Sequence, residues 1–125
     1  MTLPLEGVNV LEFGAIFAGP AAAMHLADQG AEVIKIEPPG GDPARRLGPA
    51  VSAGLSLSFL TLNRNKRSIV LDLRKPKARG IIRRLAKWAD VVVINMKSGS
   101  PEKLGVGYQQ MSAINPASPA SRTSC

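Results

Sequence analysis

Four short apolar runs, rich in β-branched residues, punctuate the chain: VNVLEF (8–13), AEVIKIE (31–37), SIVLDL (68–73) and VVVIN (91–95). Runs of this length predict strands of a parallel sheet covered on both faces. Between the first two lies a stretch of small residues. Gly14 and Gly19 bracket a sharp turn, Pro20 suits the first helical position, and Ala21, Ala22, Ala23 and Ala27 favour a helix lying close to the sheet. Met24 and Leu26 give that helix its larger contacts, and Gly30 ends it as a left-handed cap. Strand, helix and strand in succession predict a right-handed parallel crossover. A second helix opens at Pro76, where Ala78, Ile81, Ile82, Leu85 and Trp88 recur at helical spacing as one buried stripe. Arg79, Arg83 and Lys87, four residues apart, line its solvent side.

The intervening segments read as turns. Pro38–Pro49 is too dense in Pro and Gly for a regular element, and Asn63–Arg67 is a polar turn. In Val51–Asn63 the residues Leu55, Leu57, Phe59 and Leu62 fit neither period fully; a short helix leading into a turn is expected. Met96–Tyr108 reads as a loop with one short helix from about Pro101. Beyond Pro116 the chain changes to ASPASRTSC, small, polar and without periodicity, where the preceding rhythm calls for another apolar strand; an unstructured tail is expected over 117–125.

A length of 125 residues fits one domain. No apolar run approaches the roughly 18 to 20 residues of a membrane span, and MTLPLEG lacks the features of a signal peptide, so a cytoplasmic setting is expected. The formal net charge of +7 is unevenly placed: Lys35 is the only base before Asp42, whereas from Arg45 to Lys87 twelve bases face only Asp72. Such a segment attracts phosphorylated ligands or acidic partners. Nucleic acid is a poor candidate, because no helix-turn-helix follows and aromatic residues for base stacking are scarce. A single cysteine, Cys125, excludes an internal disulfide and a multi-cysteine metal site. His25, the only histidine, is expected as a surface or packing residue of a helix, which leaves little support for a Ser-His-Asp hydrolase.

The place to look for a ligand is the crevice at the carboxyl ends of the strands. The turn GAIFAGP lacks the G-x-G-x-x-G fingerprint, so a standard NAD site is not expected, and no Walker motif is present. Glu37, ending the second strand, could stand in for a ribose-binding acid or be ordinary surface polarity.

The run LEGVNVLEFGAIFAGPAAAMHLADQGAEVIKIEPPGGDPARRLGP, with LNRNKRSIVLDL and ADVVVINMKSGSPEKLGVGY after it, closely resembles the N-terminal part of the family III CoA-transferases, the CaiB/BaiF group, from Leu5 to about Pro116. The resemblance implies an α/β fold, an incomplete Rossmann-like parallel sheet with flanking helices, and relatives that pair as interlocked homodimers. It implies transfer of CoA between an acyl-CoA and a carboxylic acid, with CoA thioesters as substrates and no resident cofactor. The nucleophile there is an aspartate that forms a mixed anhydride and then an enzyme-bound thioester. Racemases of α-methylacyl-CoA share the fold, so a racemase-like parent and a non-catalytic CoA- or nucleotide-binding module are the alternatives. Carried over by motif, the CoA contacts fall at Ile16 and Ala18 before the first helix, at the loop Leu71 to Lys75 including Arg74, at Asn95 and Met96 after the fourth strand, and at Lys103. The chain departs from family patterns at Phe17, Pro38 and Met96, and none of Asp28, Asp42, Asp72 or Asp90 stands at the position of the nucleophile. The expectation is therefore a CoA-binding part over 1–116 and an altered tail, from truncation or a shifted reading frame near Asn115.

Overall fold

The structure, a computed structural model, describes residues 2–117 and the backbone of 120–122. In chain order its elements are β1 (Asn9–Gly14), α1 (Ala18–Asp28), β2 (Glu32–Glu37), a short 3₁₀ helix (Pro43–Arg46), β3 (Ala50–Ser52), β4 (Leu55–Ser56), α2 (Leu57–Asn63), β5 (Lys66–Val70), α3 (Pro76–Trp88), β6 (Val91–Asn95), α4 (Ser100–Lys103), α5 (Tyr108–Ile114) and β7 (Ala120–Arg122). Five of the strands form one sheet in the order β5-β2-β1-β6-β7, every pair parallel. The α/β architecture expected from the apolar runs is the one observed. Its order is that of doubly wound nucleotide-binding sheets, and the direction of winding reverses between β1 and β6.

Because side chains alternate along a strand, β1 serves two different cores. Leu11 and Phe13 point to one face, where Ile36, Val92 and Ile94 of neighbouring strands meet Ile82, Ala86 and Ala89 around α3 and Val106 and Met111 around α5. Val10 points to the other, with Val33, Val93 and the alanines Ala23 and Ala27 of α1. Burying each large side chain contributes about 1.5–3 kcal/mol. The α5 face holds nearly all the bulk; the α1 face is thin, since alanines let the helix lie close.

Several boundaries differ from the sequence expectation, each for a local reason. Helix α1 starts at Ala18, so Pro20 occupies its third position, still within the turn whose N–H groups have no intrahelical acceptor. In α3 the buried row is Ala78, Ile82 and Ala86, with Leu85 and Trp88 half-buried, while Ile81 is exposed. Alanine at two of three contacts draws the helix axis onto the sheet and turns Ile81 outward. Strand β5 begins at Lys66, inside the expected polar turn, and ends at Val70, before Leu71–Leu73. The expected loop 38–49 contains the 3₁₀ turn, Val51–Asn63 contributes a small β3–β4 hairpin before α2, and α5 was not anticipated because seven residues carry too little periodicity. Ala120–Arg122, expected to be unstructured, pairs with β6; the otherwise open edge of β6 presents backbone groups that an extended segment satisfies. Positions 118, 119 and 123–125 of the expected tail lie outside the described residues. The amide of Asn115 donates to the carbonyls of Ala86 and Ala89, which fastens the chain beneath α3 just before that pairing.

The close approach of α1 to the sheet depends on Gly19. A Cβ there would lie 2.6 Å from Cβ of Asn95 and 3.1 Å from Cα of Gly14, and neither is the free end of a flexible side chain. We expect Gly19→Ala to destabilise the fold by about 1–3 kcal/mol, the overlap outweighing the roughly 1 kcal/mol that alanine gains in helix propensity. Urea denaturation of parent and variant checks this; an unchanged or raised midpoint would mean that the helix has room to spare.

Candidate functional site

At the reversal of winding, Gly14 lies opposite Asn95 in the β1–β6 register, and the strand ends open into a cavity of about 390 Å³. Phe13, Ile36, Leu71, Met96 and Leu104 make most of its wall apolar, while Asn95, Asp72 and Arg74 stand among them as the polar groups. Of the eight residues expected to contact a ligand, the structure therefore brings Leu71, Arg74, Asn95 and Met96 together. The other four are not on this wall. Ile16 and Ala18 belong to the turn entering α1, and Lys75 stands exposed before Pro76 at the start of α3. Lys103 faces a second cavity of about 710 Å³, between α3 and the α4–α5 segment, which also receives Arg79, Arg83 and Lys87 and shares Leu73 and Leu104 with the first.

Arg74 is already engaged. Its guanidinium grips Asp72 with two hydrogen bonds of 2.8 and 3.0 Å, and its backbone N–H donates to the same carboxylate. Those hydrogen bonds hold Asp72 below the usual carboxylate range and Arg74 above its own, against the opposition of desolvation. The pair is largely solvated, so its attraction is screened and contributes little to stability.

A cluster of charged side chains is buried under the first turn of α1, and the sequence reading did not anticipate it. Glu12, Lys35 and Asp42 are each no more than 1% exposed. Lys35 Nζ lies 3.1 Å from Glu12 and 2.8 Å from Asp42 and donates to the carbonyl of Gly14. Lys66 Nζ lies 2.8 Å from the other oxygen of Glu12 and donates to the carbonyl of Pro20 and to Asn63. The Lys35–Asp42 and Lys66–Glu12 contacts are close ion pairs without hydrogen-bond angles. Burial pushes the Lys66 ammonium below its ordinary value, against the pull of Glu12. Beside this group, Glu37 receives two hydrogen bonds from Arg45, one from Ser68 and one from the backbone of Asp42, and Arg45 stacks 3.8 Å above the Phe59 ring. Glu37 is thus consumed internally, and a role as ribose-binding acid is ruled out by geometry. A signal was present in the sequence: a charge inside an apolar strand costs several kcal/mol unless paired, so Glu12 and Lys35 each required a partner.

The loop carrying Asp42 also reaches the turn before α1. Asp42 Oδ1 accepts from the backbone N–H of Ala44 at 2.8 Å and of Ile16 at 3.2 Å. Ile16 has φ of 67°, left-handed for a β-branched residue. Such a conformation costs on the order of 1–3 kcal/mol and persists only where its surroundings enforce it. It leaves Ile16 and Phe17 partly exposed, the latter at 61%.

A parallel doubly wound sheet with an apolar cavity at its reversal point and cations near the rim is the arrangement at which α/β folds of this kind bind their ligands. The chain belongs to CoA-transferase family III, whose model matches residues 5–117. It is 46% identical over 114 residues to the succinyl-CoA–D-citramalate CoA-transferase of Chloroflexus aurantiacus, and 45% identical over 114 residues to the human succinyl-CoA:glutarate CoA-transferase, 90% of this chain in each case. Among solved structures it resembles a CaiB/BaiF family protein from Brucella suis with a TM-score of 0.91 and 40% identity over 98% of the chain. The chain spans only 28% and 26% of the two curated relatives and 33% of the Brucella protein.

The Glu37 cluster makes a pH prediction. Burial works to raise its pKa, but the bonds from Arg45, Ser68 and Asp42 prevail and hold it at about 2, against an ordinary 4.5. A depressed acid stabilises the fold above its unfolded pKa, and the contribution fades as pH falls from about 4.5 towards 2. Glu37→Gln is expected to cost about 3 kcal/mol at pH 7, and the gap between parent and variant should narrow steadily below pH 4.5. Denaturant titrations at pH 7, 4 and 2.5 measure it; a gap independent of pH would contradict the assignment.

Proposed function

We propose that residues 1–116 are the CoA-binding part of a family III CoA-transferase and that the chain binds CoA and acyl-CoA at the strand-end crevice. The observation that carries the reading is the meeting of Leu71, Arg74, Asn95 and Met96 around one cavity at the reversal of winding, in a chain of this family. An apolar cavity suits the adenine or pantetheine portions of CoA. The exposed Lys75, with Arg74 and more distantly Lys103, offers cations to the phosphates, where guanidinium and ammonium groups act as charge-assisted donors. The Asp72–Arg74 pair would have to share its guanidinium with a phosphate for Arg74 to take part.

Transfer needs a carboxylate free to attack a thioester. None of Asp28, Asp42, Asp72 and Asp90 stands at the position of the family's nucleophile, and each is held within the chain: Asp28 by Arg64 and Asn65, Asp42 in the buried cluster, Asp72 by Arg74, and Asp90 by the backbone of Asn9. In this reading the chain by itself binds but does not transfer. Among the described residues no helix is long and apolar enough to cross a membrane; a cytoplasmic setting, carboxylic acids as acceptors and homodimers for longer family members complete the proposal.

Calorimetric titration tests the binding. CoA should bind weakly, more weakly as salt rises because exposed charges are screened beyond about 8–10 Å, and dephospho-CoA should bind less well still. Replacing Arg74 and Lys75 together by alanine should weaken binding about three- to tenfold, and more than replacing Arg79 and Arg83, which face the second cavity. Equal losses would show generic attraction to a basic surface. In parallel, incubation of the purified chain with succinyl-CoA and a panel of carboxylic acids should yield no new acyl-CoA by chromatography; sustained turnover would mean that a carboxylate of this chain serves as nucleophile.

A further inference from the structure

Resting on the CoA-binding reading, we propose that Asp42 is a positioning residue, which holds Ile16 in its left-handed conformation and so fixes the entrance to α1 beside the crevice. Three observations converge on it. The carboxylate is 1% exposed and divides its oxygens: one accepts from the N–H groups of Ile16 and Ala44, the other lies against Lys35. The residue it holds is an isoleucine with φ of 67°, a conformation that this side chain does not adopt without enforcement. Lys35 in turn donates to the carbonyl of Gly14, two residues before the same turn and on the wall of the 390 Å³ cavity. The turn is thus gripped at both ends, at the Gly14 carbonyl by Lys35 and at the Ile16 N–H by Asp42. These two side chains form one ion pair that also anchors the 38–46 loop.

The turn itself comes from sequence-distant pieces, since Asp42 lies 26 residues from Ile16. Asp42 thus ties the loop, whose Pro38 and Pro39 themselves lie on the cavity wall, to the turn before α1 as well. The arrangement gives Asp42 influence over a ligand that it has no exposed surface to touch. It also explains why a charged residue sits where the loop enters the interior: a neutral acceptor would satisfy the two N–H groups but would leave Lys35 short of a counter-charge.

The test uses the full chain and begins with the parent. Hydrogen exchange followed by NMR should find the Ile16 amide slowed at least about tenfold relative to an unprotected amide; free exchange at Ile16 in the folded parent overturns the proposal without any variant. Asp42→Ala is then compared in the parent and in an Ile16→Gly background, where the left-handed conformation no longer needs enforcing. Removing the acceptor should abolish protection at residue 16 in both backgrounds; CoA binding should weaken about tenfold in the parent but by under about threefold in the glycine background. Equal losses of CoA affinity in both backgrounds would show that Asp42 supports the fold generally, and sink the idea. If the parent binds no CoA, the functional reading falls, while exchange at residue 16 in the parent and in Asp42→Ala still decides whether Asp42 holds the turn: protection that persists without the carboxylate overturns it.

Discussion

The organisation of this molecule rests on a balance of buried charge. Glu12 comes from the central strand, Lys35 from its neighbour, Lys66 from the strand at the sheet edge, and Asp42 from the loop that follows β2. Two positive and two negative groups in a region closed to water hold three strands and a loop in one relative position. Loss of a single partner leaves an uncompensated buried charge, which costs about 3–5 kcal/mol. The cluster also fixes register, because a slip of one residue in β1 would drive Glu12 into the apolar core formed by Leu11 and Phe13.

That balance explains why the two ends of the α1 face differ. Towards the start of the strands, Val10 and Val33 pack against alanines; towards their ends, from the level of Val93 onward, the same face is ionic. Helix α1 therefore stands with its C-terminal half on hydrocarbon and its first turn on salt bridges. The opposite face carries the continuous core with α3 and α5, and its apolar character runs on to the strand ends as the cavity wall. Leu73 and Leu104 stand between that wall and the basic groove of Arg79, Arg83, Lys87 and Lys103, and line both.

The parts of this design that were legible in the sequence share a property: they are written in local periodicity. The strand runs at 8–13, 31–37 and 91–95 and the Pro76 helix follow from apolar spacing alone, and motif order pointed to the family. The placement of Leu71, Arg74, Asn95 and Met96 at one cavity was legible only through that family pattern. What escaped was non-local. Lys66 reads as a turn residue until Glu12, more than fifty positions earlier, is seen to need it. Arg74 reads as a free cation until Asp72 is found wrapped in its guanidinium, and Ile16 gives no sign of its left-handed backbone because the cause lies in Asp42. Ile81 was placed inside by its hydrophobicity, whereas Ala86 won the buried position by its size.

The parallel pairing of β1 with β6 has a consequence in time. These two strands form the middle of the sheet, yet their partners are separated by about eighty residues, and the backbone of Asn9 is completed by the side chain of Asp90. During synthesis, β1 can find β2 as soon as the Gly30 turn is made, but its other edge stays open until Val91 and its successors have left the ribosome. For most of translation the future centre of the molecule is an unpaired border, and the crevice, which exists only where Gly14 meets Asn95, is among the last features to come into being.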